Sequence, residues 1–247
     1  MASQGQCIAV VSGKGGTGKT SFTAGVGSAL ALAGRSVLCL DCDIGLRNLD
    51  LALGLSDRAL MDFSDVALGR CPLARGAVDH PDVKGLSLLT APMSLSPSLT
   101  IDKVRAMLDT ARGQYDYILI DSPAGLGAGF RLAICGADRA LVIATNDASS
   151  LRDAQRTVCE LESIRQVHLI MNRIQPKLLR KLRATIDDAM NTAGLPLIGV
   201  VPEDDQVMLA ANLGQPLTAQ GRRGAALACW NIALRLDGNQ VPIMRIR

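Results

Sequence analysis

Short apolar runs recur along this chain, and longer segments of mixed polarity separate them. A run that is apolar at every position is typical of a parallel strand with both faces covered. The predicted strands are residues 7–11, 36–40, 86–89, 117–121, 140–145, 167–171 and 197–201. The predicted helices are residues 20–33, about 57–68, 101–112, 129–135, 151–164, 177–193 and, after the last strand, two terminal helices, the second at 222–236. The alternation predicts an α/β fold with a mostly parallel, twisted sheet and helices on both faces.

The chain is large enough to bury a substantial core as one unit. It has 247 residues, of which 48% are hydrophobic, and it shows no internal repeat and no linker-like segment. A chain of this length and composition is typical of a single α/β domain. We therefore expect one domain over residues 1–247, with residues 237–247 forming a C-terminal tail.

A glycine-rich segment follows the first predicted strand and leads into the first predicted helix. Its sequence is Gly13-Lys14-Gly15-Gly16-Thr17-Gly18-Lys19-Thr20. It matches the phosphate-binding pattern G-x-x-x-x-G-K-[ST], in which backbone N–H groups and a helix N-terminus surround a polyphosphate. Lys19 is predicted to reach the β- and γ-phosphates, and the Thr20 hydroxyl to ligate Mg²⁺. The predicted nucleotide-binding residues here are Gly13, Lys14, Gly15, Gly16, Thr17, Gly18, Lys19, Thr20 and Ser21.

Lys14 is a second cation inside this loop, at a position that the phosphate-binding pattern leaves unspecified. It could act on the nucleotide of its own site or reach across a dimer to the partner's nucleotide. In the second case it would be the counterpart of an arginine finger, which stabilises the negative charge of the transition state.

Polar residues follow three other predicted strands, at the edge where an open α/β sheet binds its ligand. Asp41 and Asp43 follow the second strand, and Asp121 ends the strand at residues 117–121. The predicted magnesium site contains Thr20, Asp121, which would hold Mg²⁺ through water, and Asp43. Asp43 is the candidate for positioning the attacking water. Asp41 could instead interact with the ligands of the magnesium ion rather than with the ion itself. The segments 169–173 and 200–204 could grip a purine.

These motifs together resemble the MinD family of septum-site-determining ATPases, within the ParA/MinD superfamily of deviant Walker A proteins. The similarity extends from Ile8 to about Leu236, and the run from Asp43 to Asp50 is its most family-specific part. The segments that carry it are Lys14-Gly15-Gly16-Thr17-Gly18-Lys19-Thr20, Asp43-Ile44-Gly45-Leu46-Arg47-Asn48-Leu49-Asp50, Asp121-Ser122-Pro123-Ala124-Gly125, Ser149-Ser150-Leu151-Arg152-Asp153-Ala154 and Pro202-Glu203-Asp204.

The resemblance implies a slow, partner-stimulated ATP hydrolase that uses ATP and Mg²⁺ and forms an ATP-bound homodimer, with Lys14 contacting nucleotide across it. It implies that Asp43 acts on the attacking water and that the base is adenine, with Asn172 and Pro202 as candidate contacts. The expected partners are the membrane, a division inhibitor and an ATPase-activating protein. The helix at 151–164 is either the surface that these partners bind or a solvated helix that covers the sheet.

The composition and the N-terminal sequence predict a cytoplasmic protein that does not bind nucleic acid. The net charge is only +3 and 2% of residues are aromatic, so DNA is not an expected partner. The first six residues are polar without a cationic start, which does not fit a secretory signal, and no apolar run reaches the ~20 residues of a membrane span. The seven dispersed cysteines indicate reduced thiols. Cys39 and Cys42 should point to opposite faces of a strand, which favours packing over metal binding.

The C-terminal tail departs from the family pattern of a basic amphipathic membrane helix. Pro242 prevents a regular helix there, and Ile243, Met244 and Ile246 offer little insertable surface, so peripheral membrane attachment stays open. Leu227, Trp230 and Leu234 form a stripe that is expected to pack in the core.

Three other functions remain as alternatives. A ParA-like partition or flagellar-number ATPase would bind DNA or another cargo, and the basic run at residues 177–183 could meet phosphates or be a solvated face. An iron–sulfur carrier would need converging thiols, for which the spacing offers no good set. A scaffold without hydrolysis is disfavoured by the presence of Lys19, Thr20, Asp43 and Asp121.

Overall fold

The computed structural model describes residues 4–56 and 58–244, and its centre is one sheet of eight strands. The strands are β1 (Gln6–Val11), β2 (Val37–Asp41), β3 (Val78–Asp79), β4 (Leu86–Leu89), β5 (Tyr117–Asp121), β6 (Arg139–Ala144), β7 (Gln166–Ile174) and β8 (Leu197–Pro202). Their order across the sheet is β3-β4-β2-β5-β1-β6-β7-β8, and only the β3–β4 pair is antiparallel. The mostly parallel α/β sheet is thereby confirmed, and the carboxyl ends of β1, β2 and β5 lie side by side at one edge.

Helices cover both faces of the sheet. They are α1 (Lys19–Leu32), α2 (Leu49–Leu53), α3 (Phe63–Ala67), α4 (Leu73–Gly76), α5 (Ile101–Arg112), α6 (Ala128–Ile134), α7 (Ala148–Cys159), α8 (Pro176–Leu182), α9 (Ile186–Ala193), α10 (Asp205–Asn212) and α11 (Gly224–Leu236), with a 3₁₀ turn at Leu217–Gln220. One face packs against α1 and α11, and the other face packs against α5 and α6 on one side and α7 and α9 on the other. None of the helices within the described ranges combines the length and apolar character that a membrane crossing needs.

Successive residues of the inner strands belong to opposite cores, as the continuous apolar runs predict. Ile8 and Val10 pack on the α1 side, whereas Ala9 packs on the α7 side. Cys39 and Cys42 are both fully buried and lie in different cores, so they do not converge on one ion. The prediction that these two thiols pack rather than bind metal agrees with this placement.

The predicted helix at residues 177–193 is wrong as one element, because the chain breaks between α8 and α9. Arg183 adopts a left-handed conformation with φ of 52°, which ends α8. Thr185 and Asp188 then form a capping box that starts α9. The apolar spacing continues across the break, so periodicity alone did not reveal it.

The connection after β2 also differs from the prediction. The helix expected at about residues 57–68 is reduced to α3, because Asp62 accepts hydrogen bonds from the N–H groups of Ser64 and Asp65 and starts the helix there. The short elements α2, α4 and β3 were not predicted. The helix expected at 151–164 begins earlier, at Ala148 after an Asp147 cap, and ends at Cys159.

The stripe on α11 is only half-buried. Ala228, Cys229 and Ile232 fill the core, and Trp230 packs against it while partly buried, as expected; Leu227 and Leu234 are intermediate in exposure, which corrects the expectation for these two. On α11, Ile232 packs against Gly199 of β8, and Cys229 packs against Gly25 of α1. Residues 1–3, residue 57 and residues 245–247 lie outside the described residues; they belong to the predicted polar start, the predicted helix at 57–68 and the end of the tail.

Candidate active site

The phosphate-binding loop connects β1 to α1 and is packed tightly on two sides. Gly16 and Gly18 have positive φ angles of 76° and 87°, which L residues rarely adopt. A Cβ on Gly13 would lie 2.5 Å from the carbonyl oxygen of Asp153 in α7, and one on Gly18 would lie 2.5 Å from Nδ2 of Asn172. Glycine is therefore required here both for conformation and for close approach.

Lys19 is a buried cation at the start of α1. It is 7% exposed, and its Nζ donates a hydrogen bond of 2.8 Å to Oγ of Ser12. Burial lowers the pKa of Lys19, while the nearby carboxylates of Asp121 and Asp43 act in the opposite direction. A desolvated cation at the start of a helix, next to a glycine-rich loop, is suited to a phosphate, which would compensate for the lost solvation.

Asp121 ends β5 beside Thr20, as the magnesium prediction requires. Oγ1 of Thr20 donates to one carboxylate oxygen at 2.7 Å, and Oγ1 of Thr23 lies 3.3 Å from the other. Asp41 stands opposite Asp121 in the β2–β5 register. Burial raises the pKa of Asp121 to about 7, and repulsion from Asp41 adds to this shift.

This donor set fits Mg²⁺. The ion prefers hard oxygen ligands and is held by one or two carboxylates together with waters and substrate phosphates. The carboxyl group of Asp121 keeps a raised pKa because Lys19 and the hydroxyls of Thr20 and Thr23 only partly offset its burial and the repulsion from Asp41, and a divalent cation would stabilise its ionised form. Asp121 and Thr20 are therefore the residues that would hold it.

Asp41 and Asp43 are placed differently, although only two positions separate them. Asp41 is fully buried and accepts hydrogen bonds from the N–H groups of Asp43 (2.8 Å) and Leu49 (3.3 Å). Burial raises the pKa of Asp41 to about 6. Asp43 is partly exposed, and its pKa is raised by burial and lowered by Lys19. Asp41 therefore holds the loop backbone, whereas the charge of the partly exposed Asp43 is coupled to that of Lys19.

Lys14 lies at the surface of the loop and contacts α7 of its own chain. Its Nζ is 3.2 Å from Oδ1 of Asp147 and donates to Oγ of Ser149 at 2.9 Å. Although partial burial opposes it, hydrogen bonds from Ser149, Thr145, Ser150 and Lys14 hold the pKa of Asp147 well below its usual range. Lys14 is thus bound to the N-terminus of α7 in its own chain.

A cavity of about 410 Å³ lies beside the loop, where a base attached to a bound polyphosphate would fit. Asn172 and Pro202, the two predicted base contacts, both line it together with Phe22, Val201 and Met208. Nδ2 of Asn172 donates to the carbonyl oxygen of Thr17 at 2.8 Å, so part of its role is to hold the loop.

Arg173 and Glu203 lie in the two segments that the sequence predicted to face a purine, but their side-chain contact was not predicted. Nε of Arg173 lies 2.9 Å from one carboxylate oxygen of Glu203, and its NH1 donates to the carbonyl oxygen of Gly16 at 3.1 Å. Arg173 holds this position with a positive φ of 55°, which is uncommon outside glycine. The neighbouring Asn172 drew attention to this segment, but only the fold brings Glu203 and Gly16 to the arginine.

A second cavity of about 390 Å³ adjoins the loop on the Lys14 side, and Arg173 and Glu203 line both cavities. Within the described residues, the buried Oγ1 of Thr17 and Nδ2 of Asn146 have no hydrogen-bond partner. Buried polar atoms are usually paired, so these two indicate that a polar ligand belongs beside the loop. The residues present therefore fit a nucleotide.

The site resembles those of known nucleotide-binding proteins along nearly the whole chain. Residues 8–217 match the family model of the CobQ/CobB/MinD/ParA nucleotide binding domain. The septum site-determining protein MinD of Synechocystis is 37% identical over 242 residues, which cover 96% of this chain and 91% of that protein. The chain belongs to the MinD family. The Bacillus subtilis MinD is 36% identical over 245 residues, covering 97% of this chain and 91% of its own length.

Solved MinD structures agree with this assignment. The Aquifex aeolicus MinC:MinD cell division protein complex contains a chain that is 37% identical, with a TM-score of 0.90 over 97% of this chain and 98% of its own. The Pyrococcus horikoshii MinD complexed with Mg-ADP is 28% identical, with a TM-score of 0.82 over 94% of this chain and 96% of its own. The predictions of a MinD-type P-loop ATPase fold and of ATP and Mg²⁺ as its ligands are confirmed at the level of the family.

The alternatives receive less support from the fold. A ParA family ATPase from Chlorobium tepidum has a TM-score of 0.81 but only 22% identity, which shows a shared fold alone. In the part of the chain that the structure describes, no three His, Cys, Asp or Glu side chains are grouped to hold a metal ion, and five of the seven cysteines are buried. Nothing in this arrangement favours an iron–sulfur carrier.

Proposed function

We propose that this chain is an ATP-hydrolysing switch, which dimerises with ATP, recruits a division inhibitor and so positions the division septum. The observation that carries the proposal is the pair of lysines in one loop. Lys19 is buried, and its charge interacts with Asp121 of the predicted magnesium site. Lys14 is 43% exposed and contacts the N-terminus of α7. An exposed cation beside the phosphate site is available to the nucleotide of a second copy.

The residues divide the chemistry between them. Lys19 and the loop N–H groups bind the β- and γ-phosphates, and Thr20 with Asp121 holds the metal. Mg²⁺, when bound, neutralises charge on the phosphate oxygens. Asp43, whose charge is coupled to that of Lys19, orients the attacking water, while Asp41 holds the backbone that carries Asp43. Lys14 of the opposite copy stabilises the charge that develops during hydrolysis.

The loops around the γ-phosphate position would couple hydrolysis to assembly. Gly125 in the loop after β5 has a positive φ of 80°, and glycine at this position gives the backbone of the loop conformational freedom. Asp43 lies in the corresponding loop after β2. Contacts of both loops with a γ-phosphate would order the dimer surface, and loss of phosphate would release it.

In this proposal the protein acts in the cytoplasm and reaches the inner face of the cell membrane in its ATP-bound form. Release of Lys14 from Asp147 and Ser149 would also free the N-terminus of α7, which we propose as the surface for the division inhibitor and the activating protein. The complex of MinC with MinD from Aquifex aeolicus supports a partner of this kind.

The test is the oligomeric state as a function of nucleotide. Asp43→Ala is expected to bind ATP without hydrolysing it and to sediment as a dimer with ATP and as a monomer with ADP. The matched control is Asp102→Ala, whose side chain is 88% exposed on α5 and which should hydrolyse ATP normally. A protein that stays monomeric with ATP in both variants would contradict the proposal. A purified division inhibitor should co-sediment only with the ATP-bound dimer.

A further inference from the structure

Thr23 is a fully buried threonine in the interior of α1, at a position that the phosphate-binding pattern leaves unspecified. Its hydroxyl oxygen lies 3.0 Å from the carbonyl oxygen of Lys19, four positions earlier. The same hydroxyl lies 3.3 Å from Oδ1 of Asp121 at the end of β5. A helical threonine commonly donates to the carbonyl four positions earlier, so the contact with Asp121 is the unusual one.

Three other helical threonines show the local contact by itself. The hydroxyls of Thr110, Thr157 and Thr192 donate to the carbonyl four positions earlier, at 3.0, 2.8 and 2.8 Å. Within the described residues, none of these three hydroxyls also donates to a carboxylate. Thr157 is fully buried, as Thr23 is. Burial of a threonine in a helix therefore does not by itself produce the contact that Thr23 makes.

Thr20 and Thr23 hold the two oxygens of one carboxylate from the same side of α1. They are three positions apart, so they are neighbours on the helix surface. Oγ1 of Thr20 donates to Oδ2 of Asp121 at 2.7 Å, and Oγ1 of Thr23 faces Oδ1. In the part of the chain that the structure describes, no other hydrogen-bond donor reaches either oxygen. The two hydroxyls therefore fix the orientation of the carboxylate about its Cβ–Cγ bond.

Close packing of α1 on the sheet makes this contact possible. A Cβ on Gly27 would lie 3.5 Å from Cδ1 of Leu119 in β5. Leu119 and Asp121 are two positions apart on the strand, so both side chains face α1. Thr23 and Gly27 are four positions apart, so they share the side of α1 that faces β5. The absence of a side chain at Gly27 thus lets α1 bring the Thr23 hydroxyl to Asp121.

We propose that Thr23 is a positioning residue of the magnesium site, which acts through Asp121 and does not touch the ion. The inference rests on the proposed role of Thr20 and Asp121 in holding Mg²⁺. This ion demands near-ideal octahedral geometry, so a carboxylate that holds it must present its oxygens in a fixed direction. Loss of a hydrogen bond that orients a metal-binding group typically lowers metal affinity by about 10–100-fold.

The other role open to the hydroxyl is to stabilise the start of α1 through the carbonyl of Lys19. That carbonyl already accepts the backbone N–H of Thr23 within the helix, so it stays paired when the hydroxyl is removed. Oδ1 of the buried Asp121 would lose its donor instead. Because a buried acceptor without a partner is costly, the effect of removing the hydroxyl should fall on Asp121.

The experiment measures ADP affinity of the full chain by calorimetric titration, in EDTA and over a series of Mg²⁺ concentrations. Thr23→Val replaces the hydroxyl with a methyl group of similar size. We expect its ADP affinity in EDTA to match that of the wild type, because the loop and Lys19 are unchanged. The Mg²⁺ concentration that gives half of the gain in affinity should rise about tenfold or more.

Two variants provide the comparison. Thr23→Ser keeps the hydroxyl and should retain most of the Mg²⁺ dependence of the wild type. The matched control is Thr157→Val, which removes a buried hydroxyl that contacts only a backbone carbonyl and should behave as the wild type. Electron paramagnetic resonance of Mn²⁺, which also takes oxygen ligands, adds a spectroscopic readout. The Mn²⁺–ADP spectrum should change with Thr23→Val and stay unchanged with Thr157→Val.

Wild-type Mg²⁺ dependence in Thr23→Val would overturn the inference, and so would an equal loss in Thr23→Ser, since the hydroxyl would then not matter. Weaker ADP binding in EDTA would also overturn it, because residue 23 would then act on the phosphate loop. Thr23→Ala, which lacks the hydroxyl and adds no bulk, gives the same test if Thr23→Val does not fold.

Asp121→Asn separates this inference from the proposed function. If Asp121→Asn keeps wild-type Mg²⁺ dependence, the proposed metal site is wrong and the inference fails with it. If Asp121→Asn loses Mg²⁺ dependence while Thr23→Val retains it, the inference alone is wrong and the proposed function stands.

Discussion

At the scale of single residues, the predicted magnesium site places two buried carboxyl groups next to each other, which disfavours their ionisation. Asp41 and Asp121 are nearly fully buried and directly opposite each other in neighbouring strands. Burial raises their pKa values to about 6 and about 7. A carboxyl group with a raised pKa favours the folded state less as pH rises from its unfolded value toward its folded value. A divalent cation, which binds the ionised form, would reverse that penalty.

The ionisation of Asp121 should make magnesium-dependent nucleotide binding sensitive to pH. With a pKa of about 7, the ionised fraction rises about tenfold between pH 6 and pH 8. We expect the Mg²⁺-dependent gain in ADP affinity to rise by the same factor, about tenfold, and binding to release protons near pH 7. Calorimetric titrations in buffers of different ionisation enthalpy measure both quantities.

The control for this prediction is Asp121→Asn, which preserves size but cannot ionise. It should weaken Mg²⁺-dependent binding and remove its pH dependence. A wild-type affinity that is constant from pH 6 to pH 8 would show that Asp121 is already ionised in the nucleotide-free protein.

Arg173 should contribute to nucleotide affinity by holding the loop to the base cavity. Arg173→Met removes the contacts with Glu203 and with the Gly16 carbonyl, and both residues carry a Cβ, so the cost of the positive φ is unchanged. We expect the nucleotide Kd to rise about tenfold, which corresponds to about 1.4 kcal/mol. The kcat at saturating ATP should stay the same.

A fluorescent nucleotide titration measures this effect, and Arg105→Met provides the control because Arg105 is half-exposed on α5. An unchanged Kd, or a fall in kcat without a change in KM, would contradict a positioning role. The sequence identified Asn172 beside Arg173. It could not identify the Arg173 contacts, because their partners lie 30 and 157 positions away.

At the scale of elements, α1 shows how packing overrides helix propensity. Glycine is a poor helix former, yet Gly25 and Gly27 lie in the interior of α1. A Cβ on Gly27 would approach Sγ of the buried Cys39 to 2.5 Å, and one on Gly25 would approach Sγ of Cys229 to 2.9 Å. The two glycines allow α1 to lie close to both β2 and α11.

Gly27→Ala should therefore destabilise the protein despite its gain in helix propensity of ~1 kcal/mol. Overpacking a well-filled core costs about 1–3 kcal/mol, and we expect a net loss within that range. Denaturant unfolding of the wild type and the variant measures the difference.

The double variant separates the clash from other causes. In a Cys39→Ala background the contact is gone, so Gly27→Ala should become neutral or stabilising. An equal cost in both backgrounds would mean that Cys39 is not the source of the strain.

The break between α8 and α9 is a feature that the apolar spacing of the sequence did not predict. Residues 177–193 keep a helical apolar spacing, which predicted one helix. The left-handed Arg183 and the Thr185–Asp188 capping box divide it, and both α8 and α9 still place apolar side chains on the same core. Periodicity records which side chains are buried, and a turn that preserves burial leaves little trace in it.

At the scale of the whole molecule, the proposed role of Lys14 requires a second copy. Its contact with Asp147 and Ser149 places it on the outside of its own loop. A mixture of two inactive variants can test whether it acts across the dimer. Lys14→Ala lacks the acting cation, and Asp43→Ala lacks the group that orients water.

In a hybrid dimer, Lys14 of the Asp43→Ala copy would serve the intact Asp43 of the other copy. An equal mixture should therefore recover about a quarter of wild-type ATPase activity, since half of the dimers are hybrids with one working site in two. Each variant alone should be inactive. No recovery in a mixture that forms hybrid dimers would show that Lys14 acts within its own site.

The sequence by itself determined the α/β class and the family, and it predicted the phosphate loop and the magnesium residues. These features are local, since each is a run of neighbouring residues whose conformation and chemistry follow from their order. The tertiary structure decided that Asp41 accepts hydrogen bonds from the loop backbone, that Arg173 joins Glu203 to Gly16, and that Gly27 brings α1 close to Cys39. Those outcomes depend on which distant residues are brought together, and only the packing of strands and helices determines that.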